Sequence, residues 1–291
     1  MELRGVGVWS GRLRYGDAAE ISESAAELER LGYSALWVPG GVGGDVFNEC
    51  RRLLEATERV PVATGVLNLW MHDPADVAAD HHALTADHPG RFLLGIGVSH
   101  SQLVDRDGPP RYAKPLRVMN EFLDALDAAP TPVPRDERVL AALGPKMLEL
   151  ARDRAAGAHP YLATPDHSKV ARDVLGPDAM LLPEQPVVLE TDPVKARDAA
   201  RAHIAIYLGL PNYVNNLRRL GFGDDDFADG GSDRLLDGIV VWGDEAAVAR
   251  RVQAHLDAGA DHVCVQVLSP GIPRDEWRAL APALVGLRSP R

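Results

Sequence analysis

The chain has 291 residues, 46% hydrophobic and 25% charged, enough for two average domains or one large α/β barrel with a sizeable core. Its formal net charge of −11 sets it against nucleic acid and anionic membranes, so any anion it binds must be held by local donors. With no leader pattern at the start and no run long enough to span a membrane, a cytoplasmic protein is expected.

Taken in chain order, residues 3–9 read as a strand and 17–31 as an amphipathic helix stopped by Gly32. A second short strand, 34–38, ends at Pro39-Gly40-Gly41, and 45–57 is helical. Residues 60–68 form a third strand; Asp73 then caps a helix with Pro74 at its first position. The run "GRFLLGIGVSHSQ", 90–102, contains the fourth strand, and it thins to glycine and small polar residues where an ordinary strand would simply turn. After a helix over 114–128 come a fifth strand, 138–143, and a helix opened by Gly144-Pro145. A sixth strand over 158–163, a short helix over 166–175 and a seventh strand over 187–190 follow. Asp192-Pro193 caps a long helix, 261–268 is the eighth strand, and a last helix begins at Arg274. Cys264 lies in that eighth apolar run and reads as core; with Cys50 far away in sequence, a reducing compartment follows.

Short apolar strands that alternate with helices favour parallel strands buried on both faces. Right-handed crossovers wind such units one way, and eight of them close a (β/α)₈ TIM barrel. An open doubly wound sheet uses the same alphabet; the length and the count of eight decide for a single barrel domain over 1–291. The stretch around "NNLRRLGFGDDDFADGGSD" is too long for a connection and reads as an insertion, about 209–237, between strands seven and eight.

A barrel builds its site at the carboxyl ends of its strands. Here those ends carry Trp9-Ser10, Gly40-Gly41, Asn68, Ser99-His100, Gly144-Pro145, Thr164-Pro165 and residues 266–269. No acid pair converges for glycoside hydrolysis, and no strand-end lysine suits a Schiff base. His81 and His82 point about 100° apart around one helix and read as helix surface rather than as one ligand face. The run Asp224-Asp225-Asp226 lacks calcium-loop spacing and reads as a solvated turn, and no metal site is expected. What remains is room, backbone donors and few reactive side chains, which suits a bound cofactor that carries the chemistry. In "LGPKML" the free amides of a helix start can hold an anion or a ring carbonyl, although the same six residues also describe a plain tight turn.

Several stretches resemble the luciferase-like flavin and deazaflavin oxidoreductases, barrels related to bacterial luciferase: "LGYSALWVPG", "VATGVLNLWMHDPADVA", "HPGRFLLGIGVSHS", "AALGPKMLELARDRAAGAHPYL" and "DAGADHVCVQVL". Together they cover nearly the whole chain, and they look most like the branch that uses the deazaflavin coenzyme F420. The resemblance implies that the loop after strand four, Gly97, Val98, Ser99 and His100, passes along a tricyclic ring, with Gly95 and Gly97 clearing space for it. It implies a non-prolyl cis peptide around Thr64-Gly65-Val66 behind the ring, Asn68 as a hydrogen-bonding group, and further contacts from Leu143, Gly144, Pro145 and Thr164. His100 is the candidate for proton handling, or else only binds the cofactor, and Trp9 is a substrate wall or a packing residue. His72 reads as a helix-entry or surface residue and His159 as structural. Gly40 and Gly41 stand where some members carry a polar pair with a histidine, so those members' proton-transfer scheme does not carry over. The expected function is hydride transfer between F420 and a small organic substrate. The alternatives are an FMN-dependent monooxygenase fed by a separate reductase, and a flavin- or deazaflavin-binding protein without turnover. Relatives of this kind often form homodimers.

Overall fold

The structure, a computed structural model, describes residues 1–41, 43–106 and 110–290. Its strands are β1 (Gly5–Trp9), β2 (Leu36–Gly40), β3 (Val62–Asn68), β4 (Phe92–Gly97), β5 (Arg138–Leu140), β6 (Gly157–Ala158), β7 (Met180–Leu181), β8 (Glu184–Val188), β9 (Val241–Trp242) and β10 (His262–Val267). All are parallel in one sheet, in the order β7-β6-β5-β4-β3-β2-β1-β10-β8-β9. β7 and β8 are two halves of one barrel strand: β7 pairs with β6 and β8 with β10. The hydrogen bonding continues between the halves, since Leu182 N–H donates to the Ala158 carbonyl and Cys264 N–H to the Pro183 carbonyl. The sheet thereby closes on itself, and β9 flanks the upper part of β8 beyond the end of β6.

This differs from the expected seventh strand. It begins at Met180, and the prolines at 183 and 186 hide it, because proline argues against a central strand in sequence. β5 and β6 are shorter than expected, ending at Leu140 and Ala158, because the chain beyond them turns off into site loops. β9 and the helix Glu245–Asp257 went unanticipated. The segment between β8 and β9 is helical, including Pro211–Arg219 and Asp233–Ile239. Asp226 is not merely solvated there: it accepts from Gly223 N–H, Ser232 Oγ and Arg234. His81 is buried against Phe92, not on the helix surface, because the helix Pro74–Asp87 turns that face to the sheet.

Side chains alternate across each strand, so one set packs under the helices and the other fills the barrel. The inner set includes Leu3, Trp9, Trp37, Leu93, Leu182 and Cys264. It is not purely apolar: Trp37 Nε1 donates to His262 Nε2 at 3.0 Å, and the Trp37 ring stacks on His159 at 4.4 Å. Both cysteines are buried and free. Among the described residues, no helix is long and apolar enough to cross a membrane.

Candidate active site

At the carboxyl end, β3 carries one more residue than either neighbour. Ala63 and Leu67 pair with Leu93 and Ile96 of β4, and Val38 and Gly40 of β2 pair with Thr64 and Leu67. The Gly65–Val66 peptide inside this bulge is cis. The bulge presses on both neighbours. A Cβ on Gly40 would overlap Leu67 backbone, one on Gly95 would overlap the Thr64 carbonyl, and one on Gly97 would lie 2.5 Å from Val66 Cγ2. The space at Gly95 and Gly97 is therefore filled by β3 and not held open for a ring, which corrects the sequence expectation. It also explains Gly40: a side chain there has nowhere to go.

Thr64 Oγ1 donates to the Gly95 carbonyl and accepts from Gly95 N–H, both at 2.8 Å, standing in for a broken ladder. Its only hydroxyl hydrogen is thus spent, and Thr64 is removed from the set of cofactor donors. Gly65 offers its carbonyl to Trp9 Nε1 at 2.9 Å. Trp9 in turn has no polar atom left and presents only its rings.

Beyond β4 the backbone is pinned from behind. The Val98 carbonyl accepts from Trp70 Nε1 at 2.8 Å, and Ser99, at φ 55°, offers its carbonyl to the Tyr112 hydroxyl at 3.3 Å. Asn68 Oδ1 accepts from Trp70 N–H at 3.2 Å, which leaves its amide NH₂ without a partner among the described residues. The helix Pro211–Arg219 reaches over this region. Its Asn212 Oδ1 lies 3.1 Å from His100 Nδ1, and Tyr213 packs 5.4 Å from the His100 ring. A carboxamide oxygen only accepts, so the His100 proton sits on Nδ1 and Nε2 keeps its lone pair. Burial lowers the His100 pKa, partly opposed by the Asn212 bond, so the ring is neutral at pH 7.

The same helix ends over the next strand. A Cβ at Gly144 would lie 3.7 Å from Arg219 Nη2, which itself donates to Asn216. Gly144 starts the helix Pro145–Arg154 with no side-chain cap, whereas helices at Asp17, Asp45, Asp73 and Asp192 are all capped by aspartate. Pro145 has no N–H and the Met147 amide bonds the Gly144 carbonyl at 3.1 Å, so of the first turn the Lys146 amide is left, at a positively polarised end. The Leu143 carbonyl accepts from His167 Nε2 at 3.0 Å, so His167 Nδ1 carries a lone pair; it is buried and has no partner among the described residues. Thr164 Oγ1 accepts from His167 N–H at 3.2 Å and caps the following helix.

Across the mouth lie Glu184, Tyr161 and Tyr207, which sequence reasoning missed, beside Gln266 and His159, which it named. Glu184 is fully buried inside the barrel; Oε2 accepts from Leu162 N–H at 2.9 Å and Oε1 has no partner among the described residues. Burial pushes its pKa up to about 8, so the carboxyl is largely protonated at neutral pH. Leu162, at φ 56°, is held in the left-handed region beside that bond. Next to it, the Tyr161 hydroxyl donates to Gln266 Oε1 at 2.8 Å and accepts from the Tyr207 hydroxyl at 3.1 Å. His159 donates to the Leu182 carbonyl through Nδ1 at 2.7 Å, with Nε2 buried and without a partner among the described residues. One signal was available: Glu184 is a lone carboxylate in the apolar run "MLLPEQPVVL".

A family model described as luciferase-like monooxygenase matches residues 5–262. A Mycobacterium tuberculosis protein assigned to the coenzyme F420-dependent oxidoreductases is 32% identical over 105 residues, which are 35% of this chain and 30% of that protein. The 5,10-methylenetetrahydromethanopterin reductase of Methanolobus tindarius is 24% identical over 292 aligned positions, 84% of this chain and 89% of its own. Among solved structures, the coenzyme F420-dependent tetrahydromethanopterin reductase of Methanopyrus kandleri superimposes with a TM-score of 0.76 at 18% identity, covering 98% of this chain and 99% of that one.

Proposed function

The chain belongs to the luciferase-like monooxygenase family, and on that footing we propose that it is an oxidoreductase using coenzyme F420 on a small organic substrate. When bound, the deazaflavin supplies a two-electron hydride donor or acceptor. Everything else is the protein's task.

The donor set fits a flat ring with an anionic tail. The backbone of Gly97, Val98 and Ser99 and the Asn68 amide would border the ring. The turn Leu143-Gly144-Pro145, with Thr164, would receive the tail. His100 Nε2, a lone pair on a neutral imidazole, is the atom at which a proton released in the reaction would be accepted. The observation that carries this reading is the uncapped start of Pro145–Arg154 under the Arg219 guanidinium, local positive character in a chain of net charge −11.

Side-by-side titrations with F420, FMN and the phosphate-free deazaflavin riboside, read by tryptophan quenching, test it. F420 is expected to bind best, and Arg219→Ala to weaken F420 about tenfold while sparing the riboside, the size of one charge-assisted contact. Failure of F420 and FMN alike to bind would overturn the reading; clear preference for FMN would move the protein to the flavin branch.

A further inference from the structure

Resting on the reading of the mouth as an F420 site, we infer that Glu184 is a positioning residue for it. Its buried carboxyl replaces a strand carbonyl as the acceptor for Leu162, holds the loop 161–164 on the barrel and thereby sets how tightly the mouth binds the cofactor.

The hydrogen-bond ladder beside β6 shows the replacement. Leu182 N–H donates to the Ala158 carbonyl at 2.9 Å, and Glu184 N–H to the Pro160 carbonyl at 2.8 Å. Pro160 has no N–H to return, and the next rung of a parallel ladder would run from Leu162 N–H to the Glu184 backbone carbonyl. The chain turns off the sheet at that point, with Leu162 at φ 56°. Its N–H goes instead to Glu184 Oε2, at 2.9 Å. Leu162 is 1% exposed, so its N–H depends on that carboxyl. A leucine in the left-handed region also persists only where its surroundings hold it.

Much of the mouth hangs on this loop. Tyr161, one residue before Leu162, packs 5.4 Å from the Trp9 ring and bonds Gln266. Thr164, two residues after, caps the helix Pro165–Leu175 and bonds His167 N–H; the His167 ring bonds the Leu143 carbonyl at the anion-binding turn. The Leu162 side chain shares an apolar cluster with Tyr213 and Leu217. Both belong to the covering helix that brings Asn212 to His100 and Arg219 to Gly144.

The carboxyl does this as a neutral acid. Among the described residues no cation pairs with Glu184, and the groups around it are uncharged. Tyr161, Tyr207 and Tyr213 above it and Cys264 on β10 are weak acids that burial keeps protonated, and a charge on Glu184 would raise them further. His159 and His262 in the barrel are neutral, with burial lowering their pKa values to about 4 and about 3. A carboxylate there would have one backbone N–H for company, so burial raises Glu184 to about 8. Losing the proton makes the buried position costly and releases the loop.

The test begins on the full chain without cofactor, by NMR of carbon-13-labelled glutamate carboxyls and by amide hydrogen exchange. One glutamate is expected to titrate near pH 8 in wild type and to be missing from Glu184→Gln, which mimics the neutral acid. Leu162 amide exchange in wild type, divided by that in Glu184→Gln to remove base catalysis, is expected to rise about tenfold from about pH 7 to about pH 9. F420 titrations read by tryptophan quenching then report on the mouth. The ratio of wild-type to Glu184→Gln dissociation constants is expected to be flat up to about pH 7 and about tenfold higher by about pH 9, as for a site that must keep its proton. Titration of the ligand itself cancels in that ratio. A ratio that ignores pH overturns the positioning role even if the melting temperatures diverge, because an acid that serves stability alone would move only the latter. Equal Leu162 exchange in the two proteins overturns the hold on the loop. Failure of F420 to bind either protein, with the Leu162 exchange as expected, would instead sink the cofactor reading and leave the loop hold standing.

Discussion

At the β3–β4 side of the barrel mouth, side chains are removed until backbone meets backbone. Gly40, Gly95 and Gly97 leave no gap around the β3 bulge, and Thr64 spends its hydroxyl mending the ladder. At the β8–β10 side the barrel buries polar side chains instead, and Glu184, Tyr161, Tyr207 and Gln266 bond one another or nearby backbone. The first side is governed by steric exclusion, which no change of pH relieves. The second is governed by desolvation of titratable groups, so pH should act on it.

The largest effect is expected from Gly95→Ala. Its methyl would enter the Thr64 carbonyl, and β3 cannot retreat without disturbing Gly40 and Leu67 on its other flank. Overpacking against backbone should cost about 3 kcal/mol, a fall in Tm of roughly 6 to 12 °C by calorimetry, equal at every pH. An unchanged Tm would show that the bulge is soft and the comparison false.

Next comes Glu184→Gln. The Glu184 carboxyl titrates near 8 in the folded chain and near 4.3 when unfolded, so the native state binds the extra proton between those values. Its contribution is fully present below about pH 4 and is lost as pH rises through about 8, a change on the order of a few kcal/mol. Glutamine keeps an acceptor for Leu162 N–H and does not titrate, so the variant should gain on wild type from about pH 5 to about pH 8 in urea melts and level off above that. Parallel pH profiles would remove the charge-sensitive half of the contrast.

The smallest effect expected is that of Thr64→Val, which keeps shape and deletes the hydroxyl. Two Gly95 backbone groups would lose their partner, for about 2 kcal/mol independent of pH. A loss that varied with pH would tie this side electrostatically to Glu184.

The two sides were also unequally legible. Glycines at 40, 65, 95 and 97 are visible as letters and drew attention to strands three and four, as did the cis position at Gly65–Val66. The purpose of Gly95 and Gly97 was misread as clearance, because a missing Cβ looks the same whether a ligand or a neighbouring strand fills the gap. Glu184 was hidden by Pro183 and Pro186, and Tyr207 and Tyr213 sit in a segment whose period announces no strand or barrel helix. His100 was found by its place after the fourth strand; that Asn212 settles which nitrogen carries its proton was not.

Alternating strand and helix periods, with Asp-Pro and Gly punctuation, determined the parallel barrel from sequence alone, because those signals act within a few residues of where they are written. Which groups meet at the mouth was decided only by tertiary structure. Pairing of the β7–β8 strand with the chain after β6 brings Glu184 to Leu162, and the helix Pro211–Arg219 brings Asn212 to His100 and Arg219 to Gly144. These partners are far apart along the chain, and their protonation and orientation depend on burial that exists only once the barrel has closed.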